Sequence, residues 1–142
     1  MHSKTTIVIT ALVIAFLSGC AGTSSKKEPV VLPEGTLDQT AVVELFEDKT
    51  FESVTVGSGR TSTSYYDPNG QIRQVRQGSL RNGYWRVNSS GRMCLQMENH
   101  EEKCRIIVLE DGSYKKYVVK VDGQHRHVVS YRRIMYGNPM GL

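Results

Sequence analysis

Turn-forming residues recur along this chain at intervals of about eight to twelve residues, and that spacing decides the class of fold. Gly57-Ser58-Gly59, Pro68-Asn69-Gly70, Asn82-Gly83, Ser89-Ser90-Gly91, Asp111-Gly112 and Asp122-Gly123 separate short segments rich in Tyr, Val, Ile and Thr. Asn-Gly and Asp-Gly supply the positive φ angles that tight hairpins require. The pattern predicts a mainly β fold: an antiparallel meander of seven to eight strands forming a curved sheet or small barrel, with a β-sandwich as the rival. Tyr114–Val121 and Gln124–Ile134, joined by Asp122-Gly123, form the clearest hairpin. A chain of 142 residues, 39% of them apolar, suits one such domain.

One N-terminal helix precedes the strands. Thr36 and Gln39 fit a capping box. Leu37, Ala41, Val42, Leu45 and Phe46 fall on one face at three- and four-residue spacing, predicting a helix of about three turns packed on the sheet and ending at Asp48-Lys49-Thr50. Along the later strands Tyr117, Val119 and Val121 alternate with Lys116, Val118 and Lys120, and Val129 and Tyr131 with Val128, Ser130 and Arg132. Ile106-Ile107-Val108-Leu109 is apolar in both parities, which predicts a strand covered on both faces, with the helix a candidate cover. Trp85, Val87, Met93, Leu95 and Met97 are further core candidates.

The N-terminus carries an address. Lys4 precedes an apolar run, Ile7 to Leu17, of signal-peptide length and too short for a permanent membrane span. Leu17-Ser18-Gly19-Cys20 then resembles the lipobox of bacterial lipoproteins. That resemblance implies cleavage before Cys20 and acylation of its thiol and amine, which gives a stable anchor where one acyl chain holds only marginally. Ala21 in place of Asp leaves no likeness to the inner-membrane retention signal, so the expected address is the outer membrane, facing the periplasm. The expected organisation is a signal peptide at 1–19, the lipidated Cys20 with a flexible Ser-, Gly-, Pro- and Lys-containing tether to 35, and a single β-rich domain at 36–142.

With Cys20 assigned to lipid, Cys94 and Cys104 remain as an even pair in an oxidising compartment. They flank a polar turn at Glu98 to Glu102, and a hairpin there sets them opposite each other as a disulfide. No C-x-x-C favours redox chemistry, and a zinc site needs more ligands than His100 adds.

Few residues suggest catalysis. His125 and His127 share a strand face, but no third metal ligand is evident. No G-x-S-x-G organises a serine, Gly57-Ser58-Gly59-Arg60 lacks a following helix, and Glu98, Glu101 and Glu102 read as a solvated hairpin tip. No cofactor or metal is expected. The chain holds 18 Lys+Arg against 14 Asp+Glu, a mild excess without a nucleic-acid-binding stripe. Arginines cluster beside aromatic residues, a composition typical of protein-binding surfaces and of anionic-glycan contacts, although strand parity scatters them over both faces. Arg73, Arg76, Arg86, Tyr84, His125 and His127 are the candidate interaction surface.

Asp48-Lys49-Thr50, Tyr66-x-x-x-Gly70, Gly83-x-Trp85-x-Val87, Arg92-Met93-Cys94-Leu95 and Cys104 together resemble a family of uncharacterised secreted and lipid-anchored Gram-negative proteins over residues 45–110. The chain departs at Asp48, where that family tends to have Gly, and at Met93, where it tends to have Leu. The resemblance implies hairpin glycines, a core Trp and a disulfide, and carries over no catalytic residues. The expected function is a non-enzymatic binding module with a protein partner in the envelope. The alternative is a lipocalin-like carrier of a small molecule or lipid, which an interior binding space distinguishes from an exposed Arg/aromatic patch.

Overall fold

Strand after strand pairs with its sequence neighbour, as short connections dictate. The computed structural model describes residues 29–142; the predicted signal peptide, Cys20 and the tether as far as Glu28 lie outside the described residues. One helix, α1 (Gln39–Phe46), leads into β1 (Lys49–Thr55), β2 (Thr61–Tyr66), β3 (Gln71–Arg76), β4 (Ser79–Val87), β5 (Met93–Met97), β6 (Lys103–Glu110), β7 (Ser113–Val119) and β8 (His125–Tyr136). All eight are antiparallel in chain order, and β1 pairs with β8 from Lys49↔Tyr136 to Thr55↔Val129, closing a barrel. Closure excludes the sandwich. Register shifts at Glu52/Ser53 and at Lys116/Tyr117 increase the local twist that closure needs.

Five of the six predicted glycine turns fall between strands, and the sixth does not. Asn82-Gly83 lies inside β4, and the β3–β4 hairpin instead turns at Gln77-Gly78, both at positive φ (53° and 77°). Gly83 serves a different need: a Cβ there would sit 2.4 Å from the Gln96 carbonyl oxygen, so the neighbouring backbone comes too close for any side chain.

The helix is shorter than its stripe suggested. Asp38, rather than Thr36, is the N-cap, its carboxylate accepting from the Ala41 N–H at 2.9 Å. Thr36 is drawn away: its hydroxyl donates to the Pro33 carbonyl, and its backbone bridges to Val108. α1 caps one end of the barrel, with Val42 and Phe46 fully buried. Phe46 stacks on Phe51 at 4.3 Å and meets Tyr66 and Tyr131 edge-on. Ile72, Trp85, Met93 and Ile107 complete this apolar half. The Trp85 indole N–H donates to the Asp67 carbonyl at 2.8 Å.

β6 is covered on both faces as its sequence predicted. Ile107 faces the core, and Ile106 and Val108 are buried on the outside. The segment before α1, not α1 itself, pairs with β6: Leu37 N–H donates to Ile107 and Leu109 N–H to Gly35. This pairing occupies the edge that β5 leaves free, because β5 and β6 share only Met93↔Arg105, Cys94↔Cys104 and Leu95↔Lys103. Gly35 is required there: its φ is +76°, and a Cβ would fall 2.2 Å from the Leu109 carbonyl oxygen. Cys94 and Cys104 are disulfide-bonded at the middle pair.

Candidate functional site

Pleating separates the candidate residues into two groups. On the outside, Tyr84 lies between Gln71 and Gln96 in the ladder, and Arg73 lies opposite Asn82. These residues and the 98–101 turn border a groove of about 780 Å³. Tyr84 is 64% exposed. The Glu98 N–H donates to the Asn82 carbonyl, which holds the turn against β4. Arg73 donates to the Leu142 carbonyl at 2.8 Å. Glu98 and Glu101 bring acidic groups, and Asn99 an amide, to a rim that Arg73 makes basic.

Arg86 also faces outward, but it is engaged rather than free. Its guanidinium makes two bonds to Glu102, at 2.7 and 2.6 Å, tying β4 to the β5–β6 turn. Glu102 therefore does more than solvate a hairpin tip; the Arg86 bond holds its carboxyl below the usual range. His127 stacks on Tyr117 at 5.1 Å, beside a Glu110 that accepts from Lys115 and Tyr117. His125 follows the same outer parity opposite Val119, its Nε2 buried without a partner.

Arg76 departs from the expected surface: it faces into the barrel. Tyr66 and Ile72 are core residues paired across β2 and β3, so Ser64↔Gln74 and Ser62↔Arg76 lie on the same inner face. Arg81 lies opposite Gln74 on that face. Lys116 lies opposite the core residue Ile107, and Arg105 opposite the core residue Met93. The barrel half away from α1 is thus polar and cationic. A bonded line runs from Arg81 through Gln74 to Ser64, and Arg76 reaches across to Thr55 at 3.1 Å. Lys116 is 7% exposed and sits 5.6 Å from the Tyr131 ring centre. Burial, reinforced by Arg105, lowers its pKa to about 7. Burial also lowers Arg76, with Arg60 and Arg81 adding to the effect, and lowers Arg105, with Arg126 adding. Sequence alternation separated Lys116 from Tyr117 but did not say which faced inward.

Residues 13–107, most of the chain, match a family described as Protein of unknown function (DUF995). The chain belongs to the DUF995 family. No match was found among curated proteins or among solved structures.

In this DUF995 chain the Asp48-Lys49-Thr50 motif is structural. Asp48 has φ +52°, a conformation glycine adopts freely, and its carboxylate is held by the Tyr65 hydroxyl at 2.9 Å. The Lys49 ammonium donates to the Glu44 and Glu47 carbonyls at the end of α1. The buried Thr50 hydroxyl donates to the Gly137 carbonyl beyond β8. Ser130 Oγ lies 3.1 Å from His127 Nε2, but the same nitrogen lies 3.0 Å from the Val129 carbonyl. That nitrogen is thus shared between a hydroxyl and a backbone carbonyl. Among the described residues one group has metal-ligand spacing, Cys94, Glu102 and Cys104, and its sulfurs are bonded to each other.

Lys116 makes stability depend on pH in a defined direction. Its ordinary value is 10.5 and its folded value about 7. Between these the unfolded chain holds a proton that the folded chain lacks, so the Lys116 contribution to stability rises with pH across that window. Below about pH 7 both states are charged, and the cost of burying the ammonium is felt in full. Lys116→Met is expected to stabilise the protein at pH 7 and to flatten the slope between pH 7 and 10. Urea unfolding of both proteins at a series of pH values measures this, and equal slopes contradict it.

Proposed function

We propose that this protein is a non-catalytic binding module, anchored through Cys20 to the outer membrane and facing the periplasm, that docks a protein partner of the envelope on its β3–β5 face. The groove beside Tyr84 and Arg73 carries this reading. It unites an exposed aromatic ring, an arginine and hydrogen-bonding amides on a rigid sheet, the composition in which binding energy concentrates at protein interfaces. Its rim carries both charge signs, so it favours a partner segment of mixed charge over a nucleic acid or a strongly acidic surface.

Site-specific photocrosslinking in intact cells tests the proposal. A photoreactive residue replacing Tyr84 is expected to give a discrete adduct, and one replacing Arg133 on β8 is not. Arg73→Glu is expected to reduce the Tyr84 adduct about tenfold, as loss of one anchor of more than 1 kcal/mol implies. Adducts of equal yield and identity at both positions, insensitive to Arg73, sink the docking face.

A further inference from the structure

We infer that the barrel half away from α1 is a binding site for a small phosphate-bearing dianion, free phosphate or a phosphomonoester, held between Arg76 and Arg81 of β3 and β4 and Lys116 and Arg105 of β7 and β6. This site is separate from the outer groove, and its case does not rest on that reading.

The inward cations have no acidic neighbour of their own. Among the described residues, the ion pairs are Arg86–Glu102, Lys115–Glu110, Lys115–Asp111 and Arg133–Glu52, none of which includes an inward-facing cation. No Asp or Glu occupies an inward position on β1 to β7. Burying positive charge without a counter-ion is costly, and Lys116 is more than nine-tenths buried. The charge acting on it is a further cation, Arg105, and the ring beside it is that of Tyr131, so no carboxylate among the described residues offsets that cost. An incoming anion would.

The walls fit such a guest. Where an apolar core would carry Leu or Phe, this half presents Ser53, Ser62, Ser64 and Thr55, whose hydroxyls line the inner wall. Eight-stranded barrels are wide enough to hold one small ligand. A donor without a partner among the described residues points the same way: Arg76 Nε is buried and unbonded. Guanidinium groups offer paired N–H donors matched to phosphate oxygens, and serine hydroxyls supply further donors. Four inward cations without an acid among them favour two negative charges over one, which selects a phosphate dianion over a monocarboxylate. Arg60 and Arg126, close enough to depress Arg76 and Arg105, extend the positive field toward solvent. A bound dianion would recharge the Lys116 amine, which burial, reinforced by Arg105, otherwise holds low.

Calorimetric titration of the purified full chain with inorganic phosphate, in chloride buffer at pH 7, tests the site. Saturable binding is expected, weakened about tenfold or more by Arg76→Gln and by Lys116→Met, as loss of one charge-assisted bond implies. Arg73→Gln, on the outer face, is expected to leave it unchanged. Lys116→Met should unfold at no lower temperature than the parent, so loss of binding there is not loss of fold. In the unaltered protein, phosphate should also raise the Lys116 ammonium pKa, read by NMR. A second arm uses phosphatidate-containing vesicles. Vesicle binding that requires Arg76, without binding of free phosphate, identifies a lipid headgroup as the source of the same dianion. The proposal is overturned if neither arm depends on Arg76 and Lys116.

Discussion

Phe46→Ala is expected to be the most damaging single substitution in the described domain, costing about 3–5 kcal/mol. Phe46 has no exposed surface and touches three aromatic rings, Phe51, Tyr66 and Tyr131, from a helix outside the strand ladder. The strands cannot collapse into the vacated space, because the hydrogen-bonded closure of β1 on β8 fixes their circumference. A cavity therefore remains, and its lining loses contacts outright. The loss also releases α1, whose eight residues are too few for independent helical stability. Urea unfolding should show the full cost, and Phe46→Leu should recover most of it. A loss below 1 kcal/mol would mean that the helix does not seal this end in solution.

Replacing both Cys94 and Cys104 by Ser is expected to cost about 3 kcal/mol, the loop-entropy contribution of an 11-residue closure. For a domain of this size that corresponds to a fall of about 10 °C or more in Tm. Position makes the effect local as well as global. β5 and β6 share three register pairs, and the disulfide sits at the middle one. Hydrogen exchange should accelerate first at Met93, Leu95 and Arg105, before the long β1–β8 ladder responds. Reducing the unaltered protein should reproduce the change; identical melting with and without reductant would show that the bridge contributes nothing.

Local signals carried much of this architecture. The Gly-containing turns are legible because positive φ is a single-residue property, and Asp111-Gly112 and Asp122-Gly123 lie at the hairpins they predict. Asn82-Gly83 shows the limit: the same dipeptide serves close strand packing, while Gln77-Gly78 makes the turn without the usual Asn or Asp. Closure was not legible, because pairing of β1 with β8 is a contact between distant segments of the chain and draws on two bulges with no sequence mark. The inward face of β7 was hidden for a related reason. Hydropathy alone favours Tyr117 inside, yet the register with β6 sets Lys116 opposite Ile107. Arg76 reads as a surface residue in the sequence because charge suggests exposure, whereas the Tyr66↔Ile72 register turns it inward.

The way the chain enters the barrel decides how it would bear a load. Tension drawn from residue 29 reaches the Thr36–Val108 bridge, with its two backbone hydrogen bonds, before it reaches α1 or any ladder of the barrel. Under a peeling force those two bonds break in succession, while the β1–β8 ladder is engaged only after α1 has been drawn out. The bridge acts as a mechanical fuse: it lengthens the reach of the domain by releasing a few residues and leaves the aromatic plug and the cationic lumen intact.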